Sequence, residues 1–99
     1  MRIELKKFGT TLTSRQMGSE AAKALQPMLR AMNTDENIEV DFSDVLTFSP
    51  SWGDEFLTPL LHEFGDRLLL LQSDNLSVKA TILLLEEINK RKFKLPEPF

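Results

Sequence analysis

The order of patterns along the chain predicts an α/β fold: a small single-domain βαβαβα sandwich whose mainly parallel or mixed sheet is covered by helices. Three observations carry this expectation. Arg2–Phe8 and Ile38–Phe42 set apolar against charged residues at a period of two, the mark of a half-buried strand, and Leu68–Leu71 is a short unbroken apolar run. Each is followed by an amphipathic stretch with the period of an α-helix, near a capping residue: Thr13, Ser49 and Asn75. Strand and helix therefore alternate, and strands joined by helical crossovers run parallel with right-handed connections.

In the first strand, Ile3 and Leu5 point inward, and Gly9-Thr10 ends it. Leu12 packs inward on the way to the first helix. Thr13 with Gln16 forms a capping box, which starts that helix near Ser14 and carries it to about Asn33. Met17, Ala21, Ala24, Leu25, Met28, Leu29 and Met32 share the face expected to be core. Pro27 falls on the wet face, so the helix bends there without stopping. A polar turn, 33–37, leads into Ile38–Phe42, and a short polar loop follows that strand.

Ser49 is a good N-cap, and Pro50 suits the first helical position, where its missing N–H costs nothing. Ser51 with Asp54 makes a second, overlapping capping box. On a helical wheel Trp52, Gly53, Phe56, Leu57, Leu60, Leu61 and Phe64 cover one half. Asp54, Glu55, Thr58, His62 and Glu63 cover the other. Gly53 lets this helix approach the sheet closely, and Pro59 kinks it. After Gly65-Asp66, Leu68–Gln72 is expected as a strand with Leu68–Leu71 buried on both faces. Ser77 to about Arg91 is the third helix. Val78, Thr81, Ile82, Leu84, Leu85 and Ile88 face inward, while Leu83 lies among Lys79, Glu87 and Lys90 on the outside. Lys90, Arg91, Lys92 and Lys94 complement the end of that helix, and residues 95–99 form a tail. A short fourth strand is expected from Thr10–Leu12 or Phe93–Leu95.

The length of 99 residues suits one domain spanning 1–99, enough for a core without metal or crosslinks. Fifteen acidic against twelve basic residues give a net charge of −3, which disfavours nucleic acid as a partner. With no cysteine there is no disulfide, thiolate metal site or thiol nucleophile. No basic leader with an apolar segment opens the sequence, and its longest apolar run is far short of a membrane span. A cytoplasmic protein with no membrane contact is expected.

Catalytic chemistry would have to work with His62 as its histidine. His62 stands seven and eight residues beyond Glu55 and Asp54, about 10–12 Å along a helix, too far for a triad or metal site. A magnesium set of Asp41, Asp44 and Asp54 ranks below first-turn dipole and ion-pair roles. No catalytic residue, metal or cofactor is expected. Arg15, at the start of the first helix, is expected to pair with Asp54 or Glu55 in preference to binding a ligand directly. Leu83 is a candidate homodimer contact.

The strand Asp41-Phe42-Ser43-Asp44-Val45 followed by Ser51-Trp52-Gly53-Asp54-Glu55-Phe56-Leu57 resembles the core of the STAS-like domain family of unknown function, related in fold to sulfate-transporter and anti-sigma-factor-antagonist domains. Leu12-Thr13-Ser14-Arg15 resembles the Leu-x-Ser-Arg segment such proteins place before their first helix. Asn75 with Val78–Leu85 resembles their Asn-led last helix. The resemblance implies a STAS-like fold and a non-catalytic module of bacterial signalling that binds another protein, such as a histidine-kinase-type ATPase. In anti-sigma-factor antagonists a kinase docks on the loop and helix after the second core strand and phosphorylates a serine there. Aligned without gaps, this sequence places Pro50 at that acceptor position and Ser49 at the preceding aspartate. Ser49 and Ser51 are then the candidate acceptors, with Asp54, Glu55 and Arg15 around them as the docking surface. Two other classes stand beside it: a small-ligand or nucleotide-binding protein or enzyme with its site at the C-terminal ends of the strands, and a structural homodimer.

Overall fold

The computed structural model describes residues 1–96; the end of the expected tail, Glu97–Phe99, lies outside the described residues. The chain runs β1 (Arg2–Glu4), β2 (Thr11–Leu12), α1 (Arg15–Arg30), β3 (Ile38–Asp41), β4 (Thr47–Phe48), α2 (Pro50–Phe64), β5 (Leu68–Leu70) and α3 (Leu76–Asn89). One sheet has the order β1-β3-β5, and β2 pairs with β4 in a second, two-stranded sheet; each of these pairings is parallel. In the larger sheet Ile3 stands beside Val40 and Val40 beside Leu70, so the alternating apolar residues of three strands line up on one buried face. Arg2, Glu39 and Leu69 share the opposite face. Leu69 is therefore half-buried, not enclosed on both sides as the apolar run suggested.

The first strand is shorter than its alternation predicts. Continuing the period would turn Lys7 into the core, and instead Leu5–Phe8 forms a 3-10 turn that leaves Lys6 and Lys7 exposed. Phe8 swings over Phe56, with ring centroids 5.5 Å apart, and over Trp52 at 6.2 Å. Thr11–Leu12 does supply a short strand. Its partner lies in the expected polar loop, where Val45 and Phe48 are buried and Thr47-Phe48 forms β4. The other candidate, Phe93–Leu95, contributes a single bridge from Lys94 to Leu69 on the outer edge of β5.

The N-cap of α1 is Ser14, not Thr13: its hydroxyl accepts from the Met17 N–H at 3.2 Å. The buried face of α1 is centred on Gly18, Ala21, Leu25 and Leu29, leaving Met17, Ala24 and Met28 exposed. It is rotated by about 40° from the face that apolar periodicity indicates. The cause is Gly18, where an added Cβ would stand 2.7 Å from the Trp52 carbonyl oxygen, so α1 closes onto α2 through its backbone. Gly53 is also closely packed, but against the side chains of Phe48, Thr81 and Leu85 of β4 and α3 and not against backbone. Trp52 is only 1% exposed, stacked on Phe56 at 4.9 Å and set edge-on to Phe48 at 5.8 Å.

Asn75 caps α3, accepting from the Ser77 and Val78 N–H groups. Its amide donates to the carbonyls of Val45 and Leu46. Ser77 Oγ then accepts from the Phe48 N–H, and the buried Thr81 hydroxyl donates to the Phe48 carbonyl at 2.7 Å. Side chains of α3 thus occupy the hydrogen-bonding positions that a further strand would take beside β4. Leu84 and Ile88, expected inside, are exposed, because Val78, Thr81 and Leu85 alone face the core squarely. Leu83 is 64% exposed, as its helical phase predicts.

Candidate partner-binding site

The N-terminal turn of α2 and the start of α1 meet at the surface. Ser49 holds them together: its hydroxyl accepts from the Trp52 N–H at 3.2 Å and donates to the Thr13 carbonyl at 2.8 Å, while its own N–H donates to the Leu12 carbonyl. Pro50 occupies the first helical position and is exposed. Ser51 therefore lies inside the first turn. The Ser51–Asp54 capping box does not form, since Ser49 already caps the helix and Asp54 is engaged elsewhere.

Arg15 bridges two acids with one nitrogen: Nη1 lies 3.1 Å from Asp54 Oδ2 and 3.0 Å from Glu55 Oε1. These bonds, Glu55 first and Asp54 second, raise the proton affinity of the guanidinium above its ordinary value. The expected ion pair is present. The other oxygen of Asp54 accepts from the Thr58 hydroxyl at 2.9 Å, and Asn89 Nδ2 donates to that hydroxyl and to the Leu85 carbonyl. A polar chain thus runs from Arg15 on α1, through Asp54 and Thr58 on α2, to Asn89 on α3. Sequence periodicity did not single out Thr58 or Asn89. The four-residue spacing of Asp54 and Thr58 is the signal that could have found the first link.

The remaining acids near the strand ends are dispersed. Asp41 accepts from the Ser43 hydroxyl at 2.7 Å and pairs with Arg2 at 2.9 Å, which holds its carboxyl at about 2. Asp44, in a left-handed backbone conformation, lies 3.4 Å from Lys6, whose proton affinity it raises. Asp41, Asp44 and Asp54 each face a different cation, and among the described residues no three His, Asp or Glu side chains gather to hold a metal.

A second feature lies at the C-terminal end of β5: an apolar groove of about 420 Å³ lined by Leu70, Leu71, Val78, Ile82, Phe93 and Leu95, with Lys79, Glu86 and Lys92 among its walls. No helix among the described residues is long and apolar enough to cross a membrane.

Parallel sheets flanked by three helices, with a capped, solvent-facing helix start after the second core strand, define a small STAS-like α/β domain. The chain belongs to the family described as STAS-like domain of unknown function (DUF4325), whose model matches residues 20–79. No curated protein and no solved structure matches the chain.

Proposed function

We propose that this protein is a regulatory interaction module with no chemistry of its own, and that its partner is another protein that docks on the start of α2 and on Arg15. The observation that supports this most is the placement of Arg15, Asp54 and Glu55. They form a half-exposed ionic cluster between the start of α1 and the first turn of α2, the helix whose opposite face buries Trp52, Phe56, Leu57, Leu60 and Leu61. Nothing in the packing of Trp52, Phe56, Leu57, Leu60 and Leu61 requires charges there. A cluster of mixed sign at a positive helix end gives a partner both directional hydrogen bonds and charge discrimination.

A kinase-like ATPase is the partner class that the family resemblance favours. Of the two candidate acceptors, Ser51 suits modification better. The Ser49 hydroxyl is committed to Trp52 and Thr13, and a phosphate there would uncap α2. A phosphate on Ser51 would lie in the first turn, where the helix favours negative charge, and would compete with Asp54 and Glu55 for Arg15. The test is a binding titration against the captured partner with Glu55→Lys and Ser51→Glu, singly and together. Both variants are expected to keep the wild-type circular dichroism and to weaken binding. Unchanged affinity in the double variant would place the site elsewhere; unfolding would make these residues structural ties only.

A second reading, small-ligand binding, rests on the groove beside β5. Its apolar lining favours a compact apolar ligand over a nucleotide. Leu83, which lines one wall of that groove, is the residue proposed for self-association.

A further inference from the structure

The outer face of α3 is more apolar than a solvated helix face should be. Leu76, Leu83 and Ile88 are 80%, 64% and 60% exposed, Leu84 is 39% exposed, and Ala80 is exposed between them. Leu46, a loop residue whose carbonyl is held by Asn75 at the N-cap of α3, is also 69% exposed. Leu76, Ala80, Leu84 and Ile88 are spaced by four, so they form one ridge along a helix about 21 Å long. Lys79, Leu83 and Glu87 form the ridge beside it.

We propose that this face packs against the same face of a second copy, antiparallel about a two-fold axis. The identity of the occupant follows from self-complementarity. In an antiparallel register centred between Ala80 and Leu84, Leu76 meets the partner's Ile88 and Ala80 meets the partner's Leu84. Each large side chain at the centre is then offered a small one. The same register brings Leu83 near the partner's Leu83 across the axis. It also brings Lys79 to within about 3 Å, measured along the axis, of the level of the partner's Glu87, and Glu87 likewise to the partner's Lys79, within reach of these long side chains. Neither Lys79 nor Glu87 has an ion-pair partner among the described residues of its own chain. A parallel pairing would instead set Leu84 against the partner's Leu84 and carry the Lys79 and Glu87 ridges of the two copies to opposite sides of the interface, where they could not pair with each other. Two-fold pairing of one patch with itself is also the commonest way soluble chains associate. One helix pair buries less than the roughly 1,600 Å² of a standard interface, so the dimer is expected to dissociate on dilution. This surface is separate from the start of α2, and it stands or falls independently of the partner proposed there.

Sedimentation velocity of the full chain over about 1–500 μM decides it, a range set by the expected weak dimer. Wild type is expected to shift from monomer to dimer within the range. Ala80→Glu, at an exposed helical position that leaves the fold intact, is expected to weaken the dimer by about tenfold or more. Lys79→Glu and Glu87→Lys should each weaken it by about two- to fivefold per pair, and the double exchange should restore it. Because the chain has no cysteine, oxidised Leu83→Cys should give a covalent dimer on a non-reducing gel. A wild type that stays monomeric throughout would overturn the proposal and leave the face to some other partner. A dimer indifferent to Ala80→Glu would place the interface elsewhere, the sheet edge included. Failure of the double exchange to recover association would exclude the antiparallel register.

Discussion

Asp41 shows how much one side chain contributes at the end of a strand. Its carboxyl is held at about 2, against an ordinary 3.8, first by the Ser43 hydroxyl, then by Arg2 and the Ser43 N–H. A carboxyl whose pKa is lower in the folded chain stabilises the fold above its unfolded value. That contribution is lost as the pH falls from about 4 through 2. Ser43→Ala removes the largest cause. Titration of Asp41 followed by NMR is expected to move up from about 2 toward 3.8, and the acid limb of the stability profile should flatten. If Asp41 still titrates near 2 in Ser43→Ala, Arg2 and the backbone N–H of residue 43, which alanine retains, sustain the shift. Arg15 was legible at this same scale, because its position at the start of the first helix suggested an ion pair with Asp54 or Glu55 of α2, and it pairs with both. The Ser51 cap was not borne out, because two serines one proline apart offer the same local signal and only Ser49 has the Thr13 carbonyl within reach.

At the scale of elements, strand and helix identities followed from periodicity, and the errors cluster where contact is made by small or absent side chains. Gly18 has no side chain and so no hydropathy weight. Pattern alone then centres the α1 face toward Met17 and Met28, both of which are more than half exposed. The same blindness hid β4, since two residues pairing with two others leave no period to read. Gly18 is where this becomes testable. Alanine there would gain about 1 kcal/mol of intrinsic helix propensity. Its methyl group would also stand 2.7 Å from the Trp52 carbonyl oxygen and 3.0 Å from Trp52 Cα, neither of which can rotate away. Forcing α1 and α2 apart in this way is expected to outweigh the gain, with a net loss of about 1–3 kcal/mol in urea unfolding. A Gly18→Ala protein as stable as wild type would show that the helix pair can slide without loss, and the close approach would not be a constraint.

The whole molecule depends on contacts no local pattern announces. The parallel direction of β1, β3 and β5 follows from alternation of strands and helices, but their order and the cover on the outer edge of β5 do not. Phe93 is buried to 7% exposure although it follows the basic run after α3, and that run proves to lie beyond the helix end at Asn89. Glu86 Oε2 accepts from the Phe93 N–H at 2.8 Å, and this fixes the segment so that the Lys94 carbonyl receives the Leu70 N–H at 2.9 Å. An uncovered edge here would present free backbone groups to other chains. The adjacent Leu71 N–H instead donates inward, to Val40 of β3. These two neighbouring amides therefore report different events. In Glu86→Ala the segment loses its charge-assisted anchor, and hydrogen exchange at Leu70 is expected to accelerate at least about tenfold while Leu71 keeps its protection. Equal acceleration at both would mean that the edge segment and the sheet open together as one unit. No acceleration at either would mean that burial of Phe93, not the Glu86 hydrogen bond, holds the segment on the edge of β5.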